Sequence, residues 1–285
     1  LNVIETKELC YSYDGEESAL DKVSVKIPKG KITAIMGGNG AGKSTFFLNL
    51  NGVLTPDAGQ IIFNGKVIIH NKKNIKELRK SVGIVFQDPN DQLFSSSVRK
   101  DISFGAVNLG LSEDEISRRV DDAIERVGIK DLERRPIHAL SYGQKKRVAI
   151  AGVLVMEPEV IILDEPTAGL DPIGVNELMK ILIEIKETMG ISIIIATHDM
   201  DIVPLYCDYG FVFHRGKVIM EGTPKDIFSN PEILRENSLR LPRIAHLMEI
   251  LKDKDNLNID NNASTISMAR ASIKKMVKSI EEKNI

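Results

Sequence analysis

The stretch Gly37-Gly38-Asn39-Gly40-Ala41-Gly42-Lys43-Ser44-Thr45 constrains this chain more than any other. An apolar run at residues 32–36 precedes it, and Phe46-Phe47-Leu48-Asn49-Leu50 follows. Strand, glycine loop and helix succeed one another. The spacing from Gly37 across four residues to Gly42-Lys43-Ser44 is that of a P-loop. Glycines let the backbone turn inward, so that successive amides and the following helix N-terminus face one point and hold phosphate oxygens. In that arrangement Lys43 reaches the β- and γ-phosphates of a nucleotide, and the Ser44 hydroxyl ligates magnesium.

Composition narrows the setting. The 285 residues suffice for one large domain with appendages. Thirty-eight basic and 40 acidic residues leave a formal charge of −2, which gives no electrostatic argument for nucleic acid. Cys10 and Cys207 stand far apart, outside metal or redox spacing, and are expected to be reduced thiols of a cytosolic protein. No signal peptide is expected, and no apolar run is long enough to span a bilayer. Any membrane role must pass through a partner.

Residues 3–9 and 23–27 alternate well enough for two strands. Between them, the turn at Tyr11-Ser12-Tyr13-Asp14-Gly15 presents Tyr13 either to stack on a base or to fill a sheet edge. A helix is expected over 44–51, ended by Gly52, and a hairpin over 60–63 and 66–69 around Asn64-Gly65. A buried strand at 82–86 stops at Gln87, before Asp88-Pro89-Asn90-Asp91. Residues 88–158 read as helices, with a capping box at Ser112 and Glu115 and a second long helix from Ser141 to Met156. The apolar runs at 160–163 and 191–196 predict central strands, with an amphipathic helix between them stopped by Gly190. A last hairpin joins 211–213 to 218–220. Beyond Pro231 the texture changes. A short helix starts at Pro242, residues 253–262 read as a polar linker, and Ile266, Ala269, Ile273, Met276 and Ile280 recur at heptad-like spacing. That helix either covers its own core or docks on a partner.

The strand at 160–163 delivers Asp164 and Glu165 to the carboxyl edge of a sheet, where α/β folds bind ligands. Asp164 is placed to hold magnesium, and Glu165 to take a proton from an attacking water. His198 comes at the end of the parallel strand at 191–196; a lone histidine is usually structural, but one at that place is more readily aimed at the γ-phosphate.

Leu140-Ser141-Tyr142-Gly143-Gln144 resembles the signature of ABC ATPases. Gln87 is similar to their Q-loop, Leu170-Asp171 to the D-loop, His198 to the switch histidine and Tyr13 to the adenine-stacking aromatic. The resemblance covers roughly 3–230 with every motif in order. The stretch 86–94 and the tail resemble the ATPase subunits of energy-coupling-factor importers, especially the cobalt and nickel branch. The resemblance implies an α/β fold. A P-loop NTPase (RecA-like) core would span 1–87 and 159–230, with an antiparallel β subdomain and an inserted helical subdomain at 88–158, completing an ATPase cassette over 1–230; a small C-terminal helical extension would follow at 231–285. It implies ATP and magnesium as ligands, with Ser44, Gln87 and Asp164 around the metal and Glu165, His198 and Gln87 in catalysis. The nucleotide would lie among Tyr13, the loop from Gly37 through Thr45, and Ser141, Gly143, Gln144 and Asp171, with Ser141 and Gly143 contacting the γ-phosphate held by the opposite subunit. Implied partners are a second cassette, identical or paralogous, in a head-to-tail dimer, and two integral membrane subunits, one coupling and one binding solute. The protein would sit peripherally on the cytoplasmic face of the membrane.

One position departs from the pattern. Most ABC signatures carry Gly where this chain has Tyr142, so Tyr142 must take a negative φ and turn its ring from the nucleotide. The competing readings are a soluble ABC ATPase not coupled to transport, and a regulator with a dead site. The first group usually carries two cassettes, a coiled-coil insertion or strongly basic segments, and Glu165 and His198 argue against the second.

Overall fold

The computed structural model describes residues 1–15, 17–260 and 263–281. A six-stranded sheet carries the site. Its order is β10 (Lys217–Gly222), β9 (Tyr209–His214), β3 (Ile32–Met36), β8 (Ser192–Thr197), β7 (Val160–Asp164), β6 (Val82–Val85). All neighbours are parallel except the β9–β10 hairpin. The apolar runs of β7 and β8 follow from burial on both faces: Ile161, Leu163, Ile193 and Ile195 point into one core, Val160, Ile162, Ile194 and Ala196 into the other. Each isoleucine so buried contributes about 1.5–3 kcal/mol.

The second core is closed by a four-stranded antiparallel sheet, β2 (Ser18–Pro28), β1 (Asn2–Ser12), β4 (Ala58–Phe63), β5 (Lys66–Val67), and by α1 (Lys43–Leu50), whose Phe46 and Phe47 are fully buried. Between β6 and β7 the described regular elements are all helical: α3 (Val98–Asn108), α4 (Glu113–Arg126) and α5 (Tyr142–Leu154), with short 3-10 turns. Helix α6 (Pro172–Met189) links β7 to β8 and ends where Gly190 turns to φ 67°; the short helices α7 (Val203–Tyr206), α8 (Pro224–Phe228) and α9 (Pro231–Glu236) follow further along the chain. Among the described residues no helix is long and apolar enough to cross a membrane.

Several expectations change. A helix α2 (Lys72–Ser81) stands where the sequence reading places none; its apolar stripe is only Ile75 and Leu78 among five basic residues, with Leu78 alone fully buried. The box at Ser112 is one-sided. Ser112 Oγ accepts from the Glu115 amide, but the Glu115 carboxylate turns to Arg118 and Arg119, whose hydrogen bonds hold its pKa down to about 2. Reciprocal boxes form instead at Ser141–Gln144 and Thr223–Asp226. The stretch 253–262 is no mere linker: Leu257 and Ile259 pack with Met248 of α10 (Arg243–Asp253) and Ala269 of α11 (Ile266–Glu281) in a small separate core. Positions 261 and 262, and the Ile280 side chain, lie outside the described residues. On α11, Ala269 and Met276 face α10, while Ile266, Ile273 and Val277 are exposed. One edge of the helix covers its own core and the other is open.

Candidate nucleotide site

Adjacent strands set the site. β3, β8, β7 and β6 lie side by side, with Met36 opposite Thr197, Ala196 opposite Asp164 and Leu163 opposite Val85. Their carboxyl ends therefore bring the glycine loop, His198, the Asp164-Glu165 pair and Gln87 to one edge. Tyr13, the loop from Asn39 through Thr45, Gln87, Asp164 and Glu165 line one cavity of about 340 Å3.

The loop needs its glycines. A Cβ at Gly37 would stand 2.5 Å from the Phe213 carbonyl oxygen, and one at Gly42, where φ is 97°, 2.5 Å from that of Ala19. Gly38 and Gly40 have open space instead. Lys43 Nζ donates to the carbonyls of Gly37 at 2.8 Å and Gly38 at 3.0 Å. Burial lowers its pKa, while Glu165 and Asp164 pull it back up. Ser44 Oγ donates to Asp164 Oδ2 at 2.7 Å, so a hydroxyl and a carboxylate from distant segments meet. Hard oxygen donors of this kind suit magnesium, which takes one or two protein oxygens and completes its shell with phosphate and water. Among the described residues no cluster of three His, Cys, Asp or Glu side chains could hold a metal by itself.

Glu165 is buried and carries φ 45°, a left-handed conformation that costs an L-residue with a Cβ about 1–2 kcal/mol. His198 Nδ1 lies 2.8 Å from Glu165 Oε1, its ring largely exposed above it. A buried carboxylate on an exposed imidazole can move a proton from water outward. Tyr13 packs edge-on to Tyr11 with centroids 5.1 Å apart, and its hydroxyl sits 3.1 Å from Thr45 Oγ1. The exposed ring stands at the mouth of the cavity.

The signature lies elsewhere. Ser141 caps α5: its hydroxyl accepts the Gln144 amide at 3.3 Å, and Gln144 Oε1 accepts the Ser141 amide at 2.9 Å. Asp171 caps α6 by accepting the Gly174 amide at 2.6 Å. Ser141, Gly143, Gln144 and Asp171 share a cavity of about 530 Å3 that has no lining residue in common with the P-loop cavity. Tyr142, the first residue of α5, turns its ring into its own subunit and donates from its hydroxyl to the Gln87 carbonyl at 3.1 Å.

Sequence reasoning missed two features. Lys146, given no role by the sequence reading, is 2% exposed and touches the backbone of Glu165. Phe104, likewise given no role, is 48% exposed and meets Phe94, ring centroids 4.7 Å apart. These rings lie on a groove of about 970 Å3 beside Gln87, with Phe86 and α2 along its walls. No periodic signal marks either residue.

A family model described as ABC transporter matches residues 20–168. Over 271 residues the chain is 58% identical to the energy-coupling factor transporter ATP-binding protein EcfA2 of Clostridium perfringens, with 95% of each chain covered. The chain belongs to the ABC transporter family, in its energy-coupling-factor branch. This ABC ATPase is also 50% identical over 258 residues to the EcfA protein of Methanocaldococcus jannaschii, covering 90% of this chain and 92% of that one. Among solved structures it is similar to cbiO1 from Clostridium perfringens, described as part of the ABC transporter complex cbiONQ, with a TM-score of 0.77 and 59% identity over 87% of this chain and 99% of that one. The ABC ATPase binds and hydrolyses ATP as a transporter subunit.

Proposed function

We propose that the chain powers an energy-coupling-factor importer as one half of a head-to-tail cassette pair on the cytoplasmic face of the membrane. The observation that carries this reading is the separation of the P-loop and signature cavities, which share no lining residue within one chain. A second subunit completes the site, its Ser141 and Gly143 meeting the γ-phosphate held by Lys43, with the N-terminus of α5 aimed at the anion. Lys43 neutralises phosphate charge and Tyr13 stacks on adenine. Ser44, Asp164 and Gln87 would hold magnesium, which when bound would neutralise phosphate charge. Glu165 takes the proton of the attacking water, and His198 orients toward the γ-phosphate. Hydrolysis removes the bridge between subunits, the pair opens, and Gln87 reports the change to the groove beside it. The cassette at 1–230, with helical insertion 88–158 and extension 231–285, is the division this reading uses.

The solute is proposed to be cobalt, from the resemblance of residues 86–94 to the cobalt and nickel branch. Reconstitution with the coupling and solute-binding membrane subunits should give ATP-dependent cobalt uptake that Glu165→Gln abolishes. Uptake of nickel or a vitamin in its place would correct the solute. ATP hydrolysis indifferent to the membrane subunits, with no uptake, would favour the soluble ATPase.

The groove is the proposed seat of the coupling subunit. On sequence alone Leu93 and Phe94 both stand as candidates for an exposed surface. Leu93 is in fact part of the core, whereas Phe94 is 64% exposed. The loop is pinned by the buried Asp101, which accepts the Phe94 amide at 3.0 Å and the Ser95 amide at 2.7 Å. Phe94→Ser with Phe104→Ser should leave ATP binding and basal hydrolysis within about twofold, because exposed side chains contribute little to the fold. Co-purification with the membrane subunit should be lost. A double variant that still assembles and transports would place the coupling surface elsewhere.

The open edge of α11 is the proposed contact between subunits when ATP is absent. A cut at Arg240 would be a poor test, since it strips Leu241 and Ala245 from a core shared with Met200 and Phe228. Ile266→Glu with Ile273→Glu leaves that core whole. It should reduce the nucleotide-free dimer fraction in sedimentation by about tenfold while preserving Tm. An unchanged dimer fraction would assign α11 to covering its own core alone.

A further inference from the structure

Two side chains one turn apart on α5 reach into the catalytic half of their own subunit. Lys146 Nζ donates to the carbonyls of Glu165 at 3.1 Å and Pro166 at 2.8 Å, and lies 5.3 Å from the centroid of the Tyr142 ring. The Tyr142 hydroxyl holds the Gln87 carbonyl. Its ring packs on Gly169, where a Cβ would stand 2.9 Å from ring atom Cε1. Lys145, on the same turn, donates to Asn90 Oδ1 at 2.7 Å, three residues past Gln87.

We propose that Tyr142 and Lys146 are positioning residues, through which the end of α5 that engages the partner's nucleotide sets the general base Glu165 and the sensor Gln87 of its own site. The proposal rests on the paired-cassette reading above. In its terms, occupancy of one site is felt at the other through α5.

Three observations support it. Glu165 holds a left-handed φ, and its carbonyl accepts from both Lys146 and the Ala168 amide while its own amide donates to Ala196, so Lys146 braces the strained residue directly. A buried ammonium is costly, and a well-packed apolar side chain usually serves stability as well or better. Burial lowers the Lys146 pKa to about 8, with Glu165 and Asp88 opposing the fall. Finally, the ring and hydroxyl of Tyr142 together touch the loop after Glu165 and the loop containing Gln87, so α5 cannot shift without moving both.

The test measures hydrolysis against ATP concentration, ATP affinity and Tm for the assembled ATPase pair. Tyr142→Phe keeps the ring and removes one hydrogen bond. It should lower kcat by about three- to tenfold and bring the Hill coefficient toward one, with the ATP Kd and Tm unchanged. Lys146→Met should lower kcat by about a hundredfold, and Lys146→Gln, which keeps an amide donor to the same carbonyls, should recover most of it. Wild-type kcat and cooperativity in Tyr142→Phe and Lys146→Met would overturn the proposal. So would losses that follow Tm and ATP affinity in proportion, the mark of plain structural support. Ser141→Arg serves as the control for the pair itself. If it abolishes cooperative hydrolysis while Tyr142→Phe behaves as wild type, only the α5 linkage fails; if it leaves hydrolysis and cooperativity intact, the paired-cassette reading fails and the linkage with it.

Discussion

Glu165→Gln is expected to bind ATP as the wild type does and to lose turnover by about 10²- to 10⁴-fold, the usual worth of a positioned general base. The amide cannot take the water's proton, yet it fills the same buried space. It also keeps an oxygen that can face His198 Nδ1, 2.8 Å away in the native pair. Binding should therefore survive, and the subunit pair formed with ATP and magnesium should persist longer in gel filtration because the step that opens it is blocked. Equilibrium dialysis and single-turnover hydrolysis separate the two effects. Hydrolysis at the wild-type rate would remove Glu165 from the role of base.

Lys43→Ala has the second largest expected effect. Charge-assisted hydrogen bonds contribute about 1.5–3 kcal/mol each, so losing the ammonium should weaken ATP binding by roughly a hundredfold or more. The fold itself should not suffer. Burial lowers the Lys43 pKa, which means the folded state disfavours the charged form; for such a base, stability rises as pH climbs through the lowered value toward the unfolded one. At neutral pH, removing that charge is expected to leave the nucleotide-free Tm unchanged or higher. The rise in Tm that ATP gives the wild type should vanish, since a ligand stabilises only what it binds. A variant with undiminished ATP affinity would sink the P-loop reading.

The elements legible in the sequence were those whose signals are local. The βα unit around Gly37–Ser44 needs only glycines at close-approach positions and a helix after them, and β3 and α1 form within a residue of expectation. β7 and β8 were legible because a strand buried on both faces must be apolar throughout. With those strands placed, Asp164, Glu165 and His198 follow at or just beyond their carboxyl ends, which is why their place at one sheet edge is legible in the sequence. Helix stops at Gly52 and Gly190 are equally short-range.

Tertiary structure decided everything that depends on which surface a side chain meets. Leu93 and Phe94 are neighbours of the same chemistry, but Leu93 is buried in the core cluster shared with α3 and α5, whereas Phe94 stays 64% exposed, its ring in an edge contact with Phe104 of α3. Glu115 abandoned its capping role for two arginines within one turn of α4, a competition that the motif alone cannot rank. Tyr142 meets a carbonyl 55 residues away in the chain. Lys146 is buried because α5 lies across the loop after β7, whereas its neighbour Lys145 reaches an exposed asparagine. The sequence by itself determined the phosphate loop, the strands behind it and the carboxylates at their ends, since backbone sterics and period-two burial act over a few residues. Only the packed fold decided what the signature helix touches, which phenylalanines stay in water and which edge of α11 is open, since periodicity marks a face as covered without naming what covers it.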